Sequence, residues 1–352
     1  MIKKTLWLRA ETKPHEMRTA LTPIQARELL KEGFDIVVER TNQRIFKDAE
    51  YSDVGCRMVN AGDWVNAPVA NIYILGLKEL PKAGFSIKHE HIFFAHAYKG
   101  QSDGPQLLNR FKQGGGKIYD LEFLVDEKGK RVSAFGVSAG VGGALVSLEI
   151  YCQKHLENKT DFKIKNYYDT KQQALDELKE KISRLNVKPR SIVVGGLGRV
   201  GKGVREVLDY LNLQYEIWDL YGDKKRGTNQ EVLDTELFFN CILLNSKIDP
   251  FITQEDLSKP KKLSIIADIS CDPTSPNNPL PIYNDSTTFD KPTVKAGDID
   301  VMAIDHLPSY TPRESSEDFC NQLFPHLKNL LNGIFKSTPW ERSLKVFEEF
   351  TK

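Results

Sequence analysis

Cysteine is scarce and scattered. The five residues, at positions 56, 152, 241, 271 and 320, are odd in number and show no metal-site spacing. That pattern excludes a disulfide framework and fits a reducing compartment. An excess of charge is also missing. Lys and Arg (49) nearly balance Asp and Glu (48), so no global field favours nucleic acid or an anionic membrane. No apolar run reaches the roughly 18 residues that a membrane-spanning helix needs. The opening "MIKKTLWLRAETK" lacks a signal-peptide core, because charge returns at Arg9. Internal repeats and low-complexity tracts are absent. These absences leave a cytoplasmic globular protein of 352 residues, long enough for two domains.

What is present first is alternation. Strand-like runs at "TLWLR", "FDIVVE", "NIYILGL", "HIFFAHA" and "KIYDLEF" are separated by helix and loop signals, the pattern of an α/β domain. Thr22, Pro23, Gln25 and Gly33 supply N-cap, first helical residue, capping-box partner and stop for the helix "PIQARELLKE". Ionisable residues follow four of the strands. Arg9, Glu11, Lys13, His15, Glu16 and Arg18 come after the first, then Lys78 with Glu79, His96, and Glu122. In an open parallel sheet, ligands bind beyond the carboxyl ends of the strands, so these side chains converge on one edge. The alternative for the first group is a solvated loop. His89 and His91 share a strand face, but no cysteine or paired acid completes a metal site, and none is expected.

The run from Ala134 to Leu156, rich in glycine and alanine, predicts a helix packed very close to another backbone, bridging two domains. Residues 158–185 read as a connector and a surface helix. Then "SIVVGGLGRVGKG" places Gly196, Gly198 and Gly201 after a β-branched strand and before an amphipathic helix. Asp219 follows 23 residues after Gly196, directly beyond the strand "YEIW". Glycines permit the turn and the approach of a pyrophosphate to a helix N-terminus, and the spaced acid suits a ribose while repelling a 2′-phosphate. NAD is therefore expected over NADP. A glycine turn that only packs helix on sheet is the alternative. Further strands at "LFFNCILL", "LSIIADIS" and "IDVMAID", then a C-terminal helical pair, complete the chain.

The blocks "LRAETKPHEMRTALTP", "GLKELP", "HEHIFFAHAYKGQ", "YDLEFL", "KGKRVSAFG", "DISCDPTSPNNPLPIY" and "AIDHLPSYTPRE" extend over essentially the whole chain. Together they resemble the NAD-dependent, lysine-forming saccharopine dehydrogenases, with a more distant likeness to alanine dehydrogenase and transhydrogenase. The resemblance implies two Rossmann-like domains with parallel sheets flanking a central cleft, residues 1–135 plus 312–352 and residues 136–311. It implies cleavage of saccharopine to lysine and 2-oxoglutarate, by hydride transfer to NAD and imine hydrolysis. By similarity Lys78 is the base for the substrate amine and His96 the acid/base for water addition. Without the family, Lys78 reads as a strand-end lysine paired with Glu79, and His96 as a histidine bound to a backbone carbonyl.

Lys13, Glu16, Glu79 and Glu122 are implied to tune charge around that pair. Arg18, Gln101, Arg131, Phe135, Ser270, Cys271 and Asp272 match substrate-binding positions. The cofactor set comprises Gly196, Gly198, Arg199, Gly201, Asp219, Arg226, Ile269, Ile304, Asp305, His306 and Leu307. Small-molecule substrates and a monomer are expected, with no nucleic acid or membrane partner. The chain also departs from the family. Val200 replaces a loop cysteine that in fungal relatives can face one near Cys241, Ser138 an aromatic residue and Leu243 a tyrosine, and "VKAGDIDV" is short. Two alternatives stand beside this reading: a related NAD enzyme acting on another amine and 2-oxo acid, and a non-catalytic NAD-binding regulator.

Overall fold

The computed structural model describes residues 4–222, 226–244 and 246–352. Two compact units divide the chain, Met1–Ala134 with Ser315–Lys352, and Phe135–Glu314. Phe135, expected at the end of the first domain, thus opens the second unit.

The first unit is built on β1 (Thr5–Leu8), β2 (Asp35–Glu39), β3 (Arg57–Val59), β4 (Ile72–Leu75), β5 (Glu90–Phe93) and β6 (Lys117–Asp120). They form one sheet in the order β3-β2-β1-β4-β5-β6, parallel at every pairing. A parallel sheet covered on both faces needs apolar side chains on both, hence the continuous burial of Thr5–Leu8. The order reverses between β1 and β4, the position where such sheets open a crevice. Helix Pro23–Lys31 begins as its signals predict. Gln25 N–H donates to Thr22 Oγ1 (3.3 Å), and the Gln25 side chain accepts from Thr22 N–H (3.3 Å). The last helix, Pro339–Phe350, packs on β6, where Ser343 Oγ donates to the Asp120 carbonyl (3.0 Å). The fourth predicted strand is shorter than its apolar run. It stops at Phe93, and His96 lies outside it with φ at 49°.

The second unit is built on β7 (Ser191–Val194), β8 (Tyr215–Trp218), β9 (Leu237–Asn240), β10 (Ile265–Asp268), β11 (Val294–Ala296) and β12 (Ile299–Met302). Their order is β11-β12-β10-β9-β7-β8, parallel except for the β11–β12 hairpin. That hairpin explains the short "VKAGDIDV": Gly297, with φ at 61°, turns the chain within two residues. Two apolar layers cover the sheet faces, one with Leu145, Leu148 and Phe239, the other with Trp218, Phe238 and Phe251. The glycine-rich segment is helix Gly136–Leu156, packed on helix Arg199–Tyr210. A Cβ on Gly140 would lie 1.9 Å from the Val200 carbonyl oxygen, and one on Gly203 would lie 2.0 Å from that of Val137. Glycine is required because the two backbones touch.

Candidate functional site

In the first unit, the charged stretch after β1 folds back on itself. Glu16 and Arg18, each 4% exposed, form a two-pronged ion pair: Arg18 Nε donates to Glu16 Oε1 (2.7 Å) and Nη2 to Oε2 (2.6 Å). Burial alone would raise the Glu16 pKa. The Arg18 guanidinium, with help from Lys78, overrides it and holds the carboxyl below its usual range. Gln43 anchors the loop from β2's side, its Nε2 donating to the carbonyls of Lys13 (2.9 Å) and Glu16 (2.8 Å). The solvated-loop reading therefore fails for half of the stretch, whereas Lys13 and His15 do lie exposed.

Lys78 follows β4, across the switch point from that loop. Burial lowers its pKa first, and Arg18 and Lys13 lower it further, against the opposing pull of Glu16 and Glu79. A lysine in that state spends more time as the free amine near neutrality. Its neighbour Glu79 turns to His96 instead, with His96 Nδ1 at 2.6 Å from Glu79 Oε1. That hydrogen bond is the main reason the Glu79 pKa is lowered to about 2. Glu79 is thus an anion that orients the imidazole through Nδ1. The expected alternatives, a Lys78–Glu79 pair and a His96–carbonyl bond, are not the contacts found. Glu122 follows β6 and accepts from Lys99 Nζ (2.7 Å), while Gln101 Oε1 accepts from the Lys99 N–H (2.8 Å). A cavity of about 350 Å³ is lined by Lys13, Glu79, His96, Gln101 and Arg110 among others. Arg131 is exposed on the turn beyond β6.

Asp120, at the end of β6, was not distinguishable by sequence from an ordinary strand terminus. It is fully buried, and its Oδ1 accepts from the Glu122 N–H (2.8 Å). Burial pushes its carboxyl up to about 6. The strand-face histidines are structural. His89 Nε2 lies 2.9 Å from the Ala67 carbonyl oxygen, and His91 sits fully buried among Trp64, Phe93 and Phe111. Among the described residues, no three potential ligands gather as a metal site would require.

In the second unit, the corresponding strand ends carry the glycine loop. Gly195 has φ at 74°, and a Cβ on Gly201 would lie 2.3 Å from the Gly195 carbonyl oxygen. The helix it opens is capped at Gly198 without a side chain, so its first N–H groups stay available to an anion. Asp219, beyond β8, holds the loop by accepting from the Leu197 N–H (3.0 Å) and also takes the Tyr221 N–H (3.2 Å). A carboxylate has about four acceptor positions, so capacity for ribose hydroxyls is left. The loop therefore fits a dinucleotide. Arg199 begins the same helix, half-buried. Ile269, Ser270, Cys271 and Asp272 follow β10, and Ile304, Asp305, His306 and Leu307 follow β12, at the same edge of the sheet. Beneath the first turn, Asp268 accepts from Tyr283 Oη (2.6 Å) and Asn240 Nδ2 (2.8 Å), a brace that carried no sequence signal. Arg226 points elsewhere, donating to the carbonyls of Asp249 (2.5 Å) and Pro250 (2.7 Å) and lying over the Phe251 ring.

Among the described residues of the first unit there is no comparable dinucleotide loop. At the end of β2, where a ribose-binding acid would stand, the Glu39 carboxylate is filled by its own chain. It accepts from Trp7 Nε1 and from the N–H groups of Ala10, Gly62 and Trp64, at 2.9–3.1 Å.

Comparison with known proteins covers both units. The family model for the alanine dehydrogenase/PNT N-terminal domain matches residues 7–142, and that for the alanine dehydrogenase/PNT C-terminal domain matches residues 163–345. Saccharopine dehydrogenase (NAD(+), L-lysine-forming) of Schizosaccharomyces pombe is 41% identical, with 99% of this chain and 98% of that protein aligned. The proteins of the same name from Emericella nidulans and Yarrowia lipolytica are 43% and 44% identical, each covering 98% of this chain and 96% of the relative. Among solved structures, an L-alanine dehydrogenase superposes with a TM-score of 0.71 over 97% of this chain and 93% of its own, at 14% identity. A transhydrogenase from Sinorhizobium meliloti superposes with a TM-score of 0.61 over 95% and 96%, also at 14% identity. These two likenesses speak to the fold alone. Among the described residues, no helix is long and apolar enough to cross a membrane.

Proposed function

The chain belongs to the NAD-dependent, lysine-forming saccharopine dehydrogenases, and from that premise we propose that it cleaves saccharopine to lysine and 2-oxoglutarate, reversibly. The observation that carries the site assignment is Lys78: a lysine held below its ordinary pKa by burial beside Arg18, at the switch point of a parallel sheet. In the proposed course, neutral Lys78 takes the proton of the bridging secondary amine as hydride leaves the glutaryl Cα, giving an imine. Bound NAD supplies the hydride acceptor. His96, oriented by Glu79, then takes a proton from water as the oxygen adds to the imine carbon. Lys78 meanwhile gives its proton to the imine nitrogen, completing the carbinolamine. His96 then returns the water proton to that nitrogen while Lys78 takes the hydroxyl proton, and the C–N bond breaks to give the 2-oxo acid and the free lysine amine.

Three kinds of neighbour support these roles. Glu16 and Arg18, nearly neutral as a pair, leave Arg18 close enough to act on Lys78. Lys13, Gln101, Glu122 and Arg131 offer donors and acceptors for a substrate with three carboxylates and two amines. Phe135, Ser270, Cys271 and Asp272 are the proposed contacts from the second unit. Gly196, Gly198, Gly201 and Arg199 are proposed for the pyrophosphate, with Asp219 selecting NAD over NADP. Ile269 and Ile304 to Leu307 line the nicotinamide side in this reading, and Arg226 would have to leave the carbonyls of Asp249 and Pro250 to reach the adenosine. Four of the five free cysteines are buried, which suits a reducing compartment, and a cytoplasmic monomer is the proposed form.

The test is NADH absorbance with purified protein, lysine and 2-oxoglutarate, repeated with NADPH. Loss of absorbance with NADH and little with NADPH is the expected outcome. No loss with lysine, but turnover with another amine or oxo acid, would move the assignment to a related dehydrogenase. NADH binding without turnover of any amine would leave only a regulator.

A further inference from the structure

The first two charges of the opening stretch are aimed at a backbone. Glu11 Oε1 accepts from the Leu77 N–H (2.7 Å) and Oε2 from the Lys78 N–H (3.0 Å). Arg9, 2% exposed, donates Nη1 to Glu11 Oε2 (3.3 Å) and Nη2 to the Lys78 carbonyl. Residues beyond the end of β1 thus hold both the N–H and the C=O of Lys78, which itself lies beyond the end of β4. The passage for the guanidinium is made by Gly76. A Cβ there would have Arg9 atoms as its three nearest neighbours, with Nε at 2.4 Å. A buried ion pair is a poor source of net stability, since desolvation consumes most of its attraction. Its geometry is a better reason for it: a two-oxygen acceptor matched to two successive N–H groups fixes a turn more tightly than ordinary loop packing does.

We propose that Arg9 and Glu11 are positioning residues that clamp the peptide of Lys78 and so hold its amine in the partly buried place beside Arg18. The inference rests on the reading of Lys78 as the base. It adds that the base is set by its backbone, through residues that touch no substrate.

Two variants of the full chain test it while keeping every charge. Glu11→Asp, one methylene shorter, cannot reach both N–H groups. Gly76→Ala displaces Arg9, whose guanidinium supplies the three atoms nearest to the added Cβ. The readouts are kcat and KM across pH, and the pH dependence of acylation of Lys78, measured by competitive labelling with peptide mass spectrometry. Both variants are expected to lose about a hundredfold in kcat, the penalty typical of a misplaced catalytic group, with KM for NADH unchanged. The Lys78 labelling midpoint is expected to move to higher pH, because a released amine is better solvated. Unchanged labelling midpoints would overturn the proposal even if activity fell, since a merely structural role lowers activity without moving them. Labelling needs no substrate. A moved midpoint in a protein that turns over no amine would therefore keep the clamp and remove only the dehydrogenase reading.

Discussion

Replacing Lys78 by methionine separates function from stability through one cause. Burial, then Arg18 and Lys13, hold the lysine below its ordinary pKa, while Glu16 and Glu79 pull the other way. Between that depressed value and the unfolded value of about 10.4, the unfolded chain binds the extra proton, so stability rises with pH through the window. Below the folded pKa the cost of the buried ammonium is fully present, and every tenfold by which the site disfavours it amounts to about 1.4 kcal/mol. Methionine keeps most of the apolar stem and discards the charge. Lys78→Met should therefore make the first unit more stable at neutral pH, with the gain shrinking as pH climbs towards about 10. Activity should go the other way. A positioned general base is worth about 10²–10⁴-fold, so kcat should drop by that factor, or about 2.7–5.4 kcal/mol in the barrier. Hydrogen exchange of peptides from β1 and β4 reads the stability of this unit alone, which matters because two units need not unfold together. NADH absorbance reads the rate. An unchanged rate would refute the base assignment, and a loss of stability at neutral pH would refute the electrostatic account.

Two further perturbations address other parts of the molecule. Gly201→Ala places a Cβ 2.3 Å from the Gly195 carbonyl oxygen and 2.4 Å from the Gly196 Cα, so the loop must open; calorimetric NADH affinity should fall by about tenfold or more, given the 1–3 kcal/mol usual for such overpacking, and wild-type affinity would mean that the loop does not hold the cofactor. Asp120 is pushed from 3.8 up to about 6 by burial, so the folded chain holds the extra proton between those values and stability falls as pH rises through them. Asp120→Asn keeps an oxygen for the Glu122 N–H without the charge. Hydrogen exchange of β6 should show a gain approaching about 3 kcal/mol at neutral pH and vanishing near pH 4; a gain that persists below that window would contradict the burial argument.

The α/β class, the parallel sheets and the charged strand ends were legible because each has a local signal: apolar runs of strand length, a capping box at Thr22 and Gln25, glycines at fixed spacing before a helix. Those signals place Lys78, His96 and Asp219 at the sheet edges without any three-dimensional information. They fail where a side chain answers to a backbone far away in sequence. Nothing in "RAETK" says that Arg9 and Glu11 are committed to Leu77 and Lys78, because a hydrogen bond to a distant peptide leaves no periodicity. Asp120 was hidden because nothing in "KIYDLEF" tells a buried strand-end carboxyl from an exposed one. The apolar run around His96 misled in the opposite sense. Hydrophobicity continues to Ala97, but the ladder ends at Phe93, and a left-handed residue at His96 then turns its ring to Glu79. A non-glycine residue in that conformation costs about 1–3 kcal/mol and persists only where its surroundings impose it. Here Glu79 holds the imidazole at 2.6 Å, so the strain at His96 is sustained by that contact. That constraint, which sequence could not show, is the one that aims the ring.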